Sequence, residues 1–295
     1  DRRAVVAYVA EMLHHHKFVN GRHDPPVIFV MDEEEQIKES PKSLRETIRS
    51  GKLIQPTSGL VPGFVQTNLA ILPKDQAFEF LLFCQRIPKP CPLIVVIEPG
   101  KVEAEITAPG SDIRTDVPLY RVYENGILTD EIVDLKKIWR NDFVSFLLGC
   151  SFSFESALIN NGINLPHFDN GTNVSMYITN IETVPSGPFS GPMVVSMRAI
   201  PKDKVVRAVQ VTSRFPSVHG SPIHVGDPSS IGISDINTPD FGDPTEFHDE
   251  EVPVFWACGV TPQSVAMNSK PEIMVTHSPG HMFLTDMKDE DYSVI

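Results

Sequence analysis

The chain has 295 residues and a formal net charge of −13, from 38 acidic and 25 basic side chains. No Lys/Arg-rich block occurs along it, which argues against nucleic acid as a partner because phosphate-backbone binding needs clustered cations. The longest apolar runs are far shorter than the roughly 20 residues of a membrane-spanning helix, so no membrane partner is predicted. A hydrophobic content of 41% is typical of a globular chain with one large or two unequal domains.

The first part of the chain alternates predicted helices and strands. Residues 1–40 predict an arm with one helix and one strand. Ser40 and Pro41 are typical of a helix N-terminus, and Gly51 is expected to end that helix. The segment 55–68 is rich in Gly, Pro, hydroxyl and amide residues, which predicts a functional loop.

Further strands and helices follow in the same manner. Pro73 opens an apolar helix that later prolines stop, and LIVVI at 93–97 predicts a core strand. Residues 119–133 predict a β-hairpin, because Asn125-Gly126 supplies the positive-φ turn. From residue 193 onward four segments predict strands: MVVSMRA, VVRAVQVTSRF, PVFWAC and IMVTH.

Two segments share an apolar run that ends at a cysteine beside a glycine. They are LLGCSFSFE at 147–155 and PVFWACGVTPQ at 253–263. In the first, a helix capped by Asp134 is predicted to end just before Cys150, and a second helix to begin near Ser153. The cysteine would then lie in a tight turn between two helices.

Helix starts near these turns are candidate binding groups. The pair Thr261-Pro262 predicts a helix N-terminus that faces the end of a strand. Unpaired N–H groups at such positions bind anions and carbonyl oxygens. Ser151, Ser153 and Thr261 are therefore candidate substrate-binding residues.

The four cysteines lie in mostly apolar surroundings and form no CxxC pair, which favours free thiols in a reducing compartment. A helix N-terminus lowers a thiol pKa, so Cys150 and Cys258 are candidate nucleophiles. The alternative is that both are small buried residues beside helix starts, since a free cysteine is usually buried and inert.

Titratable side chains cluster in two late loops. VHGSPIHVGDP supplies His219, His224 and Asp227, and THSPGH supplies His277. Such groups act as general bases and acids near neutral pH, since an unperturbed histidine titrates at about 6.5. The spacing matches no compact zinc motif, so no metal is predicted, although ligation by these loops stays open.

Two arginines lie near predicted strand ends, Arg114 in RTDVP and Arg198 in VVSMR. A guanidinium there can bind a carboxylate in bidentate fashion. The alternative is a structural ion pair, such as Arg114 with Asp112 or Asp116. Neither a dinucleotide fingerprint nor a phosphate-binding P-loop occurs, so no cofactor is predicted.

Seven stretches between about residues 41 and 288 resemble, in order, the hydro-lyase family that includes the D-glutamate cyclases. They are IRSGKLIQPTSGLVPGFVQTNL, FCQRIPKPCPL, IRTDVPLYRVYENG, LLGCSFSFESAL, VHGSPIHVGDPSSIGI, PVFWACGVTPQ and THSPGHMFLTDM. Stretches so long and unusual make the resemblance specific.

The resemblance implies an α/β protein with a three-layer α/β sandwich and a smaller two-layer α+β domain. We expect residues 41–145 and 235–295 to form the main domain, 146–234 the smaller one, and 1–40 a variable N-terminal arm. The implied compartment is the cytoplasm for bacterial relatives and the mitochondrial matrix for animal ones.

The resemblance also implies a reaction of D-amino acid metabolism, the conversion of D-glutamate to 5-oxo-D-proline and water. Ring closure needs a carboxylate clamp, a base, an oxyanion stabiliser and an acid, with a covalent thioester as a variant. The candidate clamp is Arg198 or Arg114, and the candidate base is His219 or His224. The oxyanion stabilisers would be N–H groups near Ser151–Ser153 or Thr261, and the acid would be Glu155 or Asp227 if burial raises its pKa. Cys150 or Cys258 would form the thioester.

Two other interpretations stay open. One is a hydro-lyase that removes water from another small carboxylic acid, with a divalent metal at the histidine loops. The other is a non-catalytic protein that binds an acidic metabolite. All three predict a small acidic molecule as the partner, and a homo-oligomer is compatible with each.

Overall fold

The computed structural model describes residues 40–170 and 172–294, with only the backbone at Phe168 and Asp169. The predicted arm of residues 1–40 therefore lies outside the described residues, except for Ser40. No helix in the described part is long and apolar enough to cross a bilayer. The mixed α/β class is confirmed, whereas the division into a three-layer and a two-layer domain stays a prediction.

The strands are, in chain order, β1 Phe64–Pro73, β2 Leu93–Ile97, β3 Tyr120–Glu124, β4 Ile127–Ile132, β5 Phe143–Gly149, β6 Met176–Glu182, β7 Pro192–Pro201, β8 His224–Val225, β9 Glu251–Ala257, β10 Ile273–His277 and β11 Phe283–Lys288. The helices are α1 Pro41–Arg49, α2 Lys74–Arg86, α3 Phe152–Asn160, α4 Pro166–Asn170, α5 Val205–Thr212 and α6 Thr261–Ser269.

The strands form two sheets in which every pairing is antiparallel. A seven-stranded sheet has the order β2-β5-β1-β10-β3-β4, and β11 also pairs with β1. A four-stranded sheet has the order β6-β7-β9-β8. Both sheets lie in one compact unit, and the domain boundaries themselves stay a prediction.

Both faces of the seven-stranded sheet are buried at strand β1, whose successive side chains point to opposite faces. Ala70 and Leu72 of β1 pack on one face against Phe80 and Phe83 of α2 and against α6. The neighbouring residues of β1 pack on the other face against the loop that precedes β3. This central position explains why β1 is buried from its second residue onward.

Several predicted elements are confirmed. Ser40 caps α1 by accepting a hydrogen bond from the Ser43 N–H at 3.1 Å. The hairpin of β3 and β4 turns at Asn125 and Gly126, whose φ angles are 51° and 82°. The apolar helix after Pro73 and the strand at 93–97 are also present.

The helix predicted to start at Asp134 and to run to the glycine before Cys150 is wrong. Its second half, Phe143–Gly149, is strand β5, which pairs with β1 and β2 and is buried along its whole length. A strand buried on both faces has no polar alternation, so its apolar run is easily read as a helical face. Cys150 consequently lies between a strand and a helix, not between two helices.

Two other predictions are corrected. The strand predicted in VVRAVQVTSRF is helix α5, because its β-branched residues hide a helical face formed by Ala208, Val211 and Thr212. The loop predicted over 55–68 ends earlier, since β1 begins at Phe64.

A single amide side chain connects the two cysteine turns that the sequence singled out. Asn68 of β1 donates a hydrogen bond to the Gly149 carbonyl at 2.6 Å. The backbone of Gly259 lies so close that a Cβ there would be 1.8 Å from the Asn68 amide nitrogen. Gly149 is equally confined, because its Cβ would be 2.1 Å from the Ser217 carbonyl oxygen. The sheet therefore fixes both turns through contacts that need glycine.

We predict that Gly259→Ala and Asn68→Ala are non-additive. Gly259→Ala should lower the free energy of unfolding by about 1–3 kcal/mol through overpacking. Asn68→Ala should cost about 1–2 kcal/mol, because it removes a hydrogen bond to a buried carbonyl. The double variant should cost clearly less than the sum, since alanine at 68 vacates the space that the new methyl group needs. Urea unfolding of the four proteins measures the coupling, and additivity within about 0.5 kcal/mol would contradict the contact.

Candidate functional site

A buried arginine forms the centre of the candidate site. Arg198 on β7 and Glu155 on α3 each expose 1% of their side chains, and their closest oxygen–nitrogen distance is 2.6 Å. The Arg198 guanidinium also donates to Ser151 Oγ at 3.0 Å and to Ser196 Oγ at 3.1 Å. Its central carbon Cζ lies over Phe154 and Trp256, at 5.3 and 5.4 Å from the ring centroids. We call Arg198, Glu155, Ser151 and Ser196 the Arg198 cluster.

The two carboxylate oxygens of Glu155 differ in their hydrogen bonds. Its Oε1 is bonded to Arg198 and also lies 2.9 Å from Nε2 of His167 on α4. Its Oε2 is buried and has no hydrogen-bond partner among the described residues. An unpaired buried carboxylate oxygen is costly, so this atom marks a place where a donor from a ligand or a solvent molecule is favoured.

Neither carboxyl group expected to act as the acid meets the condition of a raised pKa. Burial alone would raise the pKa of Glu155, but the positive charges of Arg198 and His167 outweigh it and the net pKa is lowered. Asp227 is exposed, and hydrogen bonds from Ser229 and Ser230 lower its pKa. Both groups are therefore ionised at neutral pH.

The two cysteines lie on one side of the Arg198 cluster, in a shared apolar cluster with Val174, Met282 and their neighbours. The turns repeat one arrangement, since Cys150 Sγ faces the N–H of Phe152 and Cys258 Sγ faces the N–H of Val260. Burial nevertheless dominates: it raises the pKa of Cys258 to about 11 and that of Cys150 further. Both thiols are protonated at neutral pH, which removes the basis for expecting an activated thiolate.

Backbone N–H groups beside the cysteines are available as donors. The N–H groups of Ser151 and Gly259, each directly after a cysteine, have no hydrogen-bond acceptor among the described residues. Ser153 and Thr261 differ, because their N–H groups bond to the carbonyls of Cys150 and Cys258. The helix starts thus offer fewer unpaired donors than the sequence predicts, one beside each thiol.

His219 follows two residues, Ser217 and Val218, that contact Gly149 directly before Cys150, and it is held in one tautomer. It follows the short helical turn Pro216–Val218, has a left-handed backbone with φ of 83°, and is 1% exposed. Its Nδ1 lies 2.8 Å from the Lys89 carbonyl, which can only accept, so this nitrogen carries the proton. Nε2 then holds a lone pair, and it is buried without a partner among the described residues. Burial lowers the pKa of the ring to about 4, so His219 is neutral at pH 7.

The structure separates His224 and Asp227 from the Arg198 cluster. His224 pairs with Phe255 across the four-stranded sheet, whereas Arg198 pairs with Val254. Directly paired residues point to the same face and consecutive ones to opposite faces, so His224 and Arg198 lie on opposite faces. Joining His224 with Arg198 in one site is therefore corrected, and Asp227 caps the short helix that follows His224.

The other predicted site residues have local partners. Arg114 forms an ion pair with Asp112 at 2.7 Å, the structural alternative considered above, and shares no hydrogen bond with the Arg198 cluster among the described residues. His277 Nδ1 accepts the Leu69 N–H at 3.1 Å, and burial lowers its pKa to about 3. Thr261 Oγ1 accepts from the Val194 N–H at 3.1 Å and so attaches the start of α6 to β7.

Four residues of this region carried no individual prediction: Asn68, His167, Ser196 and Asp289. Asn68, a polar residue inside a buried strand, is a signal that the sequence did contain. Asp289 is 7% exposed, and burial raises its pKa to about 7 although the Ser153 hydroxyl lowers it. Nothing in its local sequence, KDEDY, distinguishes it from a solvated acidic run.

No group of three or more His, Cys, Asp or Glu side chains in residues 40–170 and 172–294 is arranged to hold a metal ion. The histidines of the two late loops are dispersed instead. His219 is buried and contacts the Lys89 carbonyl, whereas His277 is buried and accepts the Leu69 N–H. His224 is bound to the Asp227 carbonyl at 2.7 Å.

Comparison with known proteins gives the class of this molecule. A "Putative hydro-lyase" of Stutzerimonas stutzeri is 59% identical over 256 residues, which cover 87% of this chain and 97% of that protein. "Putative hydro-lyase YcsI" of Bacillus subtilis is 60% identical and is covered completely, against 87% of this chain. A "Putative hydro-lyase" of a Thermoanaerobacter species is 61% identical over 85% of this chain and 94% of its own length.

The sequence model of the D-glutamate cyclase family matches residues 144–286, which contain the Arg198 cluster and both cysteines. The molecule is thus a carbon–oxygen lyase of the hydro-lyase type. It belongs to the hydro-lyase family that includes the D-glutamate cyclases. Among solved structures, a nitrogen repressor-like protein of Methanococcus jannaschii matches with 10% identity and a TM-score of 0.34 over 83% of this chain and 97% of its own, which is too remote for any inference.

We predict that His219 makes stability depend on pH. Its folded pKa of about 4 lies below the value of about 6.5 in the unfolded chain, so protons bind the unfolded chain more readily. The stability from neutral His219 is complete above about pH 6.5 and is lost as the pH falls toward 4. Between pH 7 and pH 5 this loss should be about 2 kcal/mol.

His219→Asn provides the matched comparison. Asparagine tolerates positive φ, can donate to the Lys89 carbonyl, and does not titrate. The free energy of unfolding of this variant should fall less steeply between pH 7 and pH 5 than that of the parent. Any opposing contribution of Asp289 is common to both proteins and cancels. Equal slopes in urea unfolding at the two pH values would show that His219 titrates normally.

Proposed function

We propose that this chain converts D-glutamate to 5-oxo-D-proline and water in the region of the Arg198 cluster. The observation that carries the proposal is the buried guanidinium of Arg198, a full positive charge held beside two turns with unpaired backbone N–H groups. With a net charge of −13, the chain as a whole repels an acidic substrate, so local cations must bind it. Family membership supplies the reaction class.

In this proposal Arg198 binds and orients a substrate carboxylate. Glu155 neutralises the guanidinium in the absence of ligand and occupies Nε and Nη2, while Nη1 is bonded to Ser196. Nη1 carries a second N–H, which can donate to a substrate oxygen. The charge-assisted bond would be strong in a site that excludes water.

Ring closure conserves protons, which limits what the protein must supply. The substrate nitrogen forms a bond to the γ-carboxyl carbon, one γ-oxygen leaves, and the two protons lost by the ammonium group leave with it as water. One group that accepts a proton and returns it is therefore sufficient. His219 Nε2 fits this role, since it holds a lone pair, and a bound carboxylate nearby would raise the pKa of the ring from its low value.

The N–H groups of Ser151 and Gly259 are the proposed oxyanion donors. Each follows a cysteine at the end of a strand, and neither has an acceptor among the described residues. Donors fixed in advance stabilise the tetrahedral intermediate more than the flat carboxylate, which is the requirement for catalysis. The thiols themselves need no covalent role in this scheme.

The test measures 5-oxoproline formed by the purified chain from D- or L-glutamate, with and without a chelator. D-selective product that resists the chelator is the expected result. Chelator-sensitive turnover, or turnover of another small carboxylic acid alone, would favour the metal-assisted hydro-lyase. Heat stabilisation by D-glutamate with no product would identify a binding protein and overturn the proposal.

We predict that replacing Arg198 and Glu155 together preserves the fold but not the activity. Arg198→Met alone should destabilise the chain by about 3–5 kcal/mol, because it leaves Glu155 charged and buried. Adding Glu155→Leu should restore most of that stability, since replacing both members of a buried pair is often neutral.

In the restored double variant, 5-oxoproline formation should still fall on the order of 100-fold or more, because the carboxylate clamp is gone. Arg140→Gln is the control, since Arg140 lies on the surface in pairs with Asp142 and Glu272 and should leave activity unchanged. A folded double variant with the parent's kcat/KM would reduce Arg198 to a structural ion pair.

A further inference from the structure

A second arginine faces the same region from the other sheet. Arg121 on β3 donates through Nε to Glu131 Oε1 at 2.8 Å and through Nη1 to Gln263 Oε1 at 3.3 Å. Its guanidinium lies 5.9 Å from the centroid of the Phe241 ring. Its side chain is 20% exposed, and Nη2 makes no hydrogen bond to a described residue. Arg121 therefore has donors to spare and is open on one side.

The Gln263 side chain that contacts Arg121 is itself held in place. Gln263 on α6 is fully buried, and its amide is used at both ends. The oxygen also accepts from the Tyr123 hydroxyl at 3.1 Å, and the nitrogen donates to the His277 carbonyl at 2.8 Å. A side chain held in this way fixes the position of the guanidinium that it contacts, and such preorganisation is what a binding site requires.

The sheet register places Arg121 on the same face as Asn68. Arg121 pairs with Thr276, and Thr276 pairs with Ala70, two residues after Asn68. Two strand spacings and two residues along a strand separate the Cα atoms of Arg121 and Asn68 by about 12 Å. Both side chains point toward α6, because residues paired across strands share a face.

The start of α6 bridges this distance. Gly259, two residues before α6, abuts Asn68, and Gln263 in the first turn of α6 contacts Arg121. Phe241, which lies under Arg121, packs against the apolar cluster that contains both cysteines. Arg121 and the Arg198 cluster are thus both connected to the region of the cysteine turns, Arg121 through Phe241 and Arg198 through Ser151.

We propose that Arg121 binds the second carboxylate of a dicarboxylic substrate and gives the site its preference for dicarboxylic over monocarboxylic acids. The ligand class rests on the proposed function, whereas the contacts of Arg121 do not. Glu131 is the carboxylate that Arg121 holds without ligand, and because it is 42% exposed it can be displaced or joined by a ligand carboxylate at modest cost.

Two non-reacting acids test the preference apart from turnover. Glutarate has two carboxylates and no amine, so it cannot form the lactam. Butyrate is glutarate with one carboxylate replaced by hydrogen. We expect glutarate to raise the melting temperature of the parent chain more than butyrate does. Arg121→Gln should abolish that difference and raise the KM for D-glutamate about tenfold or more, with a smaller change in kcat.

Glu131→Gln separates a binding role from a structural one. It removes the competing carboxylate, so glutarate should bind this variant more tightly than the parent, an effect that the loss of a purely structural ion pair would not produce. Arg140→Gln is the matched surface control and should behave as the parent. If Arg121→Gln retains both the glutarate preference and the parent KM, the inference is wrong.

The two proposals fail in different ways. A parent chain that forms no 5-oxoproline, but whose glutarate preference depends on Arg121, would overturn the reaction and leave the dicarboxylate site in place. A parent chain that forms 5-oxoproline, and whose KM and glutarate preference ignore Arg121, would overturn this inference and leave the reaction in place. Should Arg121→Gln fail to fold, Arg121→Lys and Glu131→Gln give the same comparison, with a weakened and a strengthened preference expected.

Discussion

The candidate site depends on a full positive charge that the fold keeps away from water. Removing a guanidinium from solvent costs several kcal/mol, and the contacts of Arg198 offset that cost with a carboxylate, two hydroxyls and two aromatic faces. These partners come from separate elements, β7, α3 and β9. The ion pair therefore requires the four-stranded sheet and the first turn of α3 to be in register with one another.

The cysteine turns show how competing effects on a thiol are decided. Each sulfur faces a backbone N–H at the start of a helix, an arrangement that favours the thiolate. Burial opposes it and is the larger effect in both turns. The contribution of the turns is then geometric, because a small side chain followed by an unpaired N–H allows close approach of a ligand to the backbone.

Local signals in the sequence predicted local structure well. The cap at Ser40 and the Asn125-Gly126 hairpin depend on a few adjacent residues, and both are present. Strand β5 is predicted as part of a helix, because full burial removes the polar alternation of a strand. Helix α5 is predicted as a strand, because its β-branched residues are typical of strands. Burial is a property of the tertiary structure and is not visible in a short window.

The same limit applies to the site. The sequence indicated Arg198, Cys150, Ser151, Glu155, His219 and Cys258, and the structure gathers them, although their catalytic roles stay predictions. It also offered His224 as an alternative to His219 for the base, but His224 and Arg198 lie on opposite faces of the four-stranded sheet. Arg121 and Gln263 are 142 positions apart and meet through sheet register, which no local pattern encodes.

The division of the site between two sheets has a consequence for its response to heat. Ser151 and Glu155 follow β5 of the seven-stranded sheet, whereas Arg198 belongs to the four-stranded sheet. A small opening between the sheets would break their contact while each sheet kept its own hydrogen bonds. Local openings of this kind cost less than global unfolding. A local opening between the sheets is therefore sufficient to disrupt the site. On warming, activity should fall as the two sheets separate, before circular dichroism reports any loss of strands or helices.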